Sequence, residues 1–356
     1  MNHIKKQLPE LKDNFLLQII ILGTITFFCL KIYLLFSGKE AIVSDLDVYE
    51  QWSKDILSNK EPHHLPLFPI LVSLLNNLTL GIIDTLLIMQ LIAISAWVFL
   101  CIEFNSILKI LVDKKYVNHA LALFAFYPFF GFSFTLYPAP DKLAHLAVAS
   151  LLLGYLINSK NRIIVAASMG LLIHKAMWPY LIIGSVACFV FKKINLIHLI
   201  TIFLPLSAYY LFVNINNAQA EINILINLAT DFGMQNGFSI PFQELINGLI
   251  FSGLVDTTKS LFLLTVTFLA IYLLILNIAK LNILNIFILI PILLIGAFIV
   301  EFILTGYLRH SIYIVLPIFT TSGFLLVQKF LLRINIYVTV FALLITQIMF
   351  SLIIFD

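Results

Sequence analysis

Charge is the scarcest thing in this chain. Aspartate, glutamate, lysine and arginine make up 11% of its 356 residues, where a soluble globular domain carries about a quarter, and apolar residues make up 61%. That balance excludes a water-soluble globule. It also excludes a hidden soluble domain, because apolar stretches of about 20 residues recur along the whole chain. Short, strictly alternating segments are missing, so a membrane β-barrel is not indicated. Cysteine is nearly absent. Cys29, Cys101 and Cys188 lie inside apolar runs at unrelated spacing, which gives neither a disulfide framework nor a metal motif and makes them expected buried cysteines. Internal repeats are missing too, which removes support for a symmetric transporter built from duplicated halves.

What is present is helical length. Backbone polar groups in lipid are satisfied within helices, so the expected fold class is all-α, a polytopic transmembrane helical bundle of about 10–11 spans forming one integral membrane domain over 1–356. Spans are expected near 15–37, 82–106, 117–136, 142–157, 163–175, 176–191, 194–213, 258–279, 282–304, 310–329 and 334–354, with 163–175 and 176–191 possible as one broken helix. The run Phe15 to Ser37 is too long for a signal-peptide core and has no small-residue cleavage site, so it is expected as a retained first helix.

Lysine and arginine set the orientation. With the N-terminus in the cytoplasm, 13 of the 21 basic residues fall in inner segments, among them Lys109, Lys114, Lys115, Lys160, Arg162, Lys192 and Lys193. Of the 18 acidic residues, 14 fall outside or in outer halves of spans. Two long outer segments result. The first outer loop is 38–81, within which Pro66 to Leu80 is apolar but too short to span and is expected to lie in the interface or dip in. The second outer loop, 214–257, is rich in asparagine. Long loops on a helical scaffold are where binding and catalysis sit.

Polar residues gather at the expected outer span ends: Asp45 and Asp47; His63 and His64; Asp141, Lys142 and His145; His174 and Lys175; Arg309 and His310. Five of the eight histidines belong to this group, drawn from separate parts of the chain as loops converging on one site would be. Simple interfacial anchoring is the alternative, but histidine and aspartate are poor snorkellers. Asp45 and Asp47, in Ser44-Asp45-Leu46-Asp47-Val48-Tyr49, have the chemistry for proton abstraction from a hydroxyl or for holding a divalent cation (Mg or Mn) through oxygen ligands. Ser44-x-x-Asp47 and Asp47-x-x-Glu50 are also capping-box spacings, which use one carboxylate. Arg309 suits bidentate phosphate binding, with Lys175 as a second contact and Glu301 as a partner for Arg309 or a site residue.

At these residues the chain resembles the GT-C glycosyltransferases, polytopic enzymes that take sugars from polyprenyl-phosphate carriers. Ser44 to Tyr49 is similar to the Asp-x-Asp-plus-aromatic signature in the first outer loop of the GPI mannosyltransferase branch. Leu65-Pro66-Leu67-Phe68-Pro69 resembles a Phe-Pro-Leu-Phe-Pro run of a related branch. Tyr307-Leu308-Arg309-His310 with Pro317 is similar to the late Arg-aromatic-then-proline segment, with His310 where an aromatic is common. Residues of about 195–300 match no part of the family pattern. The resemblance implies an inverting transfer of a mannose-like hexose from a polyprenyl-phosphate-linked donor to a lipid, glycan or protein acceptor. It makes Asp45 the base, Asp47 an orienting group or cation ligand, and Arg309 with His310 or Lys175 the phosphate contacts. Asp141, Lys142, His174, His63 and His64 are further substrate-binding candidates. The expected partners are membrane lipids and no nucleic acid. The expected place is a bacterial plasma membrane, with the active site extracytoplasmic. An envelope polysaccharide polymerase or ligase using a lipid pyrophosphate, and a lipid-linked sugar flippase, remain the alternatives. Residues 214–257 contain no arginine, which counts against the polymerase. Spans with few ionisable groups at mid-depth count against the flippase.

Overall fold

The computed structural model describes residues 14–38, 65–111, 114–126, 140–174, 177–216 and 334–355. Among the described residues every regular element is an α-helix, and no strand occurs. In chain order these are α1 (Asn14–Ser37), α2 (Leu67–Leu78), α3 (Thr85–Leu111), α4 (Lys114–Ala125), α5 (Asp141–Leu156), α6 (Lys160–Leu171), α7 (Trp178–Val190), α8 (Leu196–Asn216) and α9 (Ile336–Phe355). Two of them, α1 and α3, are long and apolar enough to cross a membrane. At 1.5 Å per residue their lengths are about 36 and 40 Å, against a hydrocarbon core of about 30 Å.

These helices fall where the apolar runs predict them, with one difference. The run expected near 117–136 contains α4, which starts earlier and closes at Ala125, only about 18 Å along. The stretch 163–191 is two helices, α6 and α7, as the two expected runs have it and not one broken helix, and between them Met177 N–H donates to His174 O. Pro66 to Leu80 holds the 12-residue helix α2, too short to span, as expected. The expected spans near 258–279, 282–304 and 310–329, and nearly all of the two outer loops apart from 65–81, lie outside the described residues.

The centre of the fold is α3. One apolar cluster joins it to α1, α4 and α9 around Phe27, Trp97, Leu100, Leu121 and Phe126. A second joins α5 to α8 around Ala144, Ala167, Leu171, Leu181 and Cys188. The link between the halves is α5, which packs most extensively on α3 and α6. Small residues let these backbones approach. At Gly23 an added Cβ would stand 2.2 Å from Trp97 Cη2, and at Gly170 one would stand 2.7 Å from Leu181 Cδ1 and 2.9 Å from Ala147 Cβ. Of the cysteines, Cys101 and Cys188 are buried as expected, whereas Cys29 is exposed.

The outward faces are apolar as well. On α1 the exposed row is Leu17, Ile21, Ile25, Phe28, Ile32 and Leu35. On α8 it is Ile197, Ile200, Leu204 and Leu211, and on α9 it is Val338, Phe341, Ile345 and Met349. Steps of three, four and seven residues place each row on one helix face, opposite the face that meets the core.

The two ends of the bundle differ. At one, Arg162 Nη2 donates to Glu103 Oε1 at 2.9 Å, and the Ser150 hydroxyl faces the same carboxylate. Here the α5–α6 and α7–α8 turns sit side by side. Lys193 reaches Asn158 Oδ1, and its ammonium stands 4.9 Å from the centre of the Tyr155 ring. Both turns close the same way. Ser159 N–H donates to Gly154 O and Lys193 N–H to Cys188 O, each at 2.8 Å, with Asn158 and Lys192 in the left-handed region at φ 56°. At the other end α2 turns back into α3, where Asn76 Nδ2 donates to Thr85 Oγ1 at 3.1 Å.

Candidate functional site

Several helices stop at the same height, and that height is the middle of α3. Trp97 is the thirteenth of the 27 residues of α3, and its indole N–H donates to Ala125 O at 3.3 Å. The next carbonyl, Phe126 O, receives Gln347 Nε2 of α9 at 2.9 Å. The last carbonyls of a helix have no partner within it, so a helix can end inside an apolar bundle only if other groups supply donors. Trp97 and Gln347 do so for α4. Phe126 adds a tilted ring contact to Trp97, with centroids 6.5 Å apart.

Helix α5 begins at this level. Ser150 lies beside Glu103, and Leu143 packs on the cluster of Phe68, Val72, Ile88 and Met89, so α5 runs parallel to α3 and its first turn falls between the levels of Met89 and Cys101. Helix α6 ends there and α7 starts there. Leu67 N–H at the start of α2 donates to Leu172 O at 3.1 Å, and Trp178 Nε1 donates to Leu171 O at 2.9 Å. The Trp178 ring meets Tyr210 of α8 edge-on at 6.2 Å, with Tyr209 beside it at 5.6 Å from Tyr210. The ends of α4 and α6 and the starts of α2, α5 and α7 therefore form one layer across the bundle.

That layer carries the described site candidates. Asp141 is the first residue of α5. Lys142 and His145, three residues apart and so on one helix face, are 2% and 3% exposed. The Lys142 ammonium lies within electrostatic reach of Cys101 on α3. His174, half-buried, sits in the α6–α7 turn beside Leu172, the residue on which the start of α2 is hung. The sequence places Lys142 and His145 at the rim of a span; the structure buries them against the middle of α3. The difference has a physical cause: α5 is 16 residues, about 24 Å, and its other end is fixed by the Glu103 and Arg162 contacts, so its first turn falls short of the far end of α3.

Of the candidates named from the sequence, Lys142 and His145 lie in the first turns of α5 and His174 in the α6–α7 connection. Asp45, Asp47, His63, His64, Lys175, Glu301, Arg309 and His310 lie outside the described residues. No group of three or more potential metal ligands occurs among the described residues. Sequence reasoning missed Trp97, Gln347, Trp178 and Tyr210. Only the aromatic character of three of them, inside or beside apolar runs, gave any signal.

A buried lysine with a histidine one turn on has a clear chemical use. Both side chains can donate to an anion, and in a medium poor in water each such contact is stronger than at a surface. The chain matches no family model, no curated protein and no solved structure.

Proposed function

We propose that this chain is an integral membrane glycosyltransferase that moves a hexose from a polyprenyl-phosphate carrier to an acceptor hydroxyl on the extracytoplasmic side of the membrane. The observation that carries the proposal is the mid-height layer, where Lys142 and His145 are buried beside the ends of interrupted helices. A carrier of this class has a long apolar tail and one phosphate. Its tail belongs among the apolar outward rows of α1, α8 and α9, and its phosphate needs cationic donors inside the bundle. Lys142 and His145 supply them, and the resemblance adds Arg309 with His310 or Lys175. The polytopic arrangement belongs to this proposal: α5 to α7 would cross together with the interrupted elements, with the Arg162 end cytoplasmic because lysine and arginine concentrate there.

In the transfer, the acceptor oxygen attacks the anomeric carbon as the bond from that carbon to the phosphate oxygen breaks. The acceptor proton passes to the Asp45 carboxylate, and polyprenyl phosphate leaves with its new charge held by the cationic groups. Asp47 orients the acceptor. A divalent cation, Mg or Mn, would be held by the carboxylate oxygens of Asp45 and Asp47 and would supply positive charge beside the acceptor. The test is transfer of radiolabelled sugar from polyprenyl-phosphate donors to membrane acceptors. Asp45→Asn, Arg309→Ala and Lys142→Met should each reduce transfer by at least about a hundredfold, the range for removing a group that stabilises developing charge. Full activity in Asp45→Asn removes its role as base. No transfer from any monophosphate donor by an inserted protein removes the proposal.

One observation favours a second reading. Ionisable groups at half height beside interrupted helices are what a transporter of lipid-linked sugars requires. Carrier movement across proteoliposomes without sugar transfer, lost in Lys142→Met, would favour it.

A further inference from the structure

The cytoplasmic end of the proposed bundle has no part in the transfer chemistry, yet it is the most highly charged described region. Lys109, Lys114, Lys115, Lys160, Arg162, Lys192 and Lys193 gather there. Glu103 is the one described carboxylate beside them, and Arg162 already engages it at 2.9 Å. Among the described residues no acidic side chain forms an ion pair with Lys160, Lys192 or Lys193.

The two adjoining turns concentrate this charge. Lys193 lies along the Tyr155 ring and reaches Asn158, which ties the α7–α8 turn to the α5–α6 turn. Lys160 follows Asn158 by two residues and Lys192 precedes Lys193, and both are exposed. Lys192 holds φ 56° at a helix-closing position where glycine is the usual residue, so a cation stands where the backbone would favour its absence. Around these lysines the surface turns apolar at once. Val190 is 62% exposed, Leu196 58% and Ile197 70%, and the last begins the outward row of α8. A cationic rim directly above an apolar wall has the shape of a phospholipid, phosphate over acyl chain.

We infer that the paired turns 157–160 and 191–195 form a binding site for an anionic phospholipid, with Lys160, Lys192 and Lys193 around the headgroup phosphate and Val190, Leu196 and Ile197 along its acyl chains. A soluble acidic partner would use the charge and have no need of the apolar wall. The proposal rests on the membrane reading of the chain but not on its transferase activity.

The test uses the full-length protein in nanodiscs of phosphatidylcholine alone and with phosphatidylglycerol. Thermal unfolding and the lipid retained in native mass spectrometry are the two readouts. Phosphatidylglycerol should raise the unfolding temperature of the wild type and be retained preferentially. Lys160→Gln with Lys192→Gln, both exposed, should weaken retention by roughly twenty-fivefold, at about fivefold per lysine. Lys193→Gln should weaken it further. Lys109→Gln with Lys114→Gln, at the same end but away from the paired turns, should leave most of it. Equal retention of both lipids by the wild type, or equal loss in the two double variants, overturns the site. A chain that does not enter nanodiscs overturns the membrane reading, and the site with it.

Discussion

Replacing Gln347 by leucine keeps a similar volume on α9 and removes the side-chain amide. In the structure that amide donates through Nε2 to Phe126 O at 2.9 Å, just past the last turn of α4. A buried carbonyl stripped of its donor costs about 1–3 kcal/mol, and at about 2–4 °C per kcal/mol for a chain of a few hundred residues the unfolding temperature should fall by roughly 2–12 °C. The natural cysteines provide the assay. Cys101 and Cys188 are buried and react with a thiol-reactive dye only on unfolding, while exposed Cys29 is removed as Cys29→Ser. Thr346→Val is the control on the same helix, because Thr346 bonds only to Ala342 O of its own helix and is exposed. It should shift the transition by less than about 0.5 kcal/mol, as surface changes do. Trp97→Phe should cost more than Gln347→Leu. It removes the donor to Ala125 and also opens space beside Gly23, where the indole fits against bare backbone. The two act on consecutive carbonyls, so their double variant should depart from additivity by at least about 0.5 kcal/mol. A Gln347→Leu transition within a degree of the wild type would refute the claim that α4 ends where it does because of these donors.

Gly170→Val places methyl groups where Leu181 and Ala147 already stand under 3 Å from a Cβ, so it should destabilise by about 1–3 kcal/mol in the same assay; no effect would mean that α5, α6 and α7 do not meet at this point. Arg162→Met leaves Glu103, 13% exposed, without its guanidinium and should cost about 1–2 kcal/mol, less than a fully buried pair because Arg162 is 30% exposed. Adding Glu103→Gln should restore most of that loss; a double variant no better than the single would show that the pair does not act as one.

The helices were readable because they lie in apolar runs, of which α1 and α3 are long enough to cross a membrane and the others are shorter. That Glu103 and Arg162 fall at one end of the bundle was legible in outline, since each lies near the end of a neighbouring apolar run. The stopping points were not readable. Pro128 marks a stop within a few residues of Ala125, but no glycine or asparagine closes the helix, and its terminal donors come from Trp97, 28 residues away, and from Gln347, 221 residues from Phe126. Lys142 read as a rim residue for the same reason. Pro140 marks where α5 starts along the chain, but the depth of that start is set by contacts at the opposite end. The candidate site was therefore legible as a set of residue types and not as a place, since its height depends on which helices fall short.

The bond from Gln347 to Phe126 also sets an order on how the protein is made. A ribosome releases α4 more than two hundred residues before α9 exists. For that interval one of the two donors at the end of α4 is missing, and the carbonyl must be served by water or by another donor that later gives way. The early bundle is thus a provisional assembly completed by its last segment. A chain that stalls before residue 336 would present quality-control proteases with an open seam at the same level as its buried lysine.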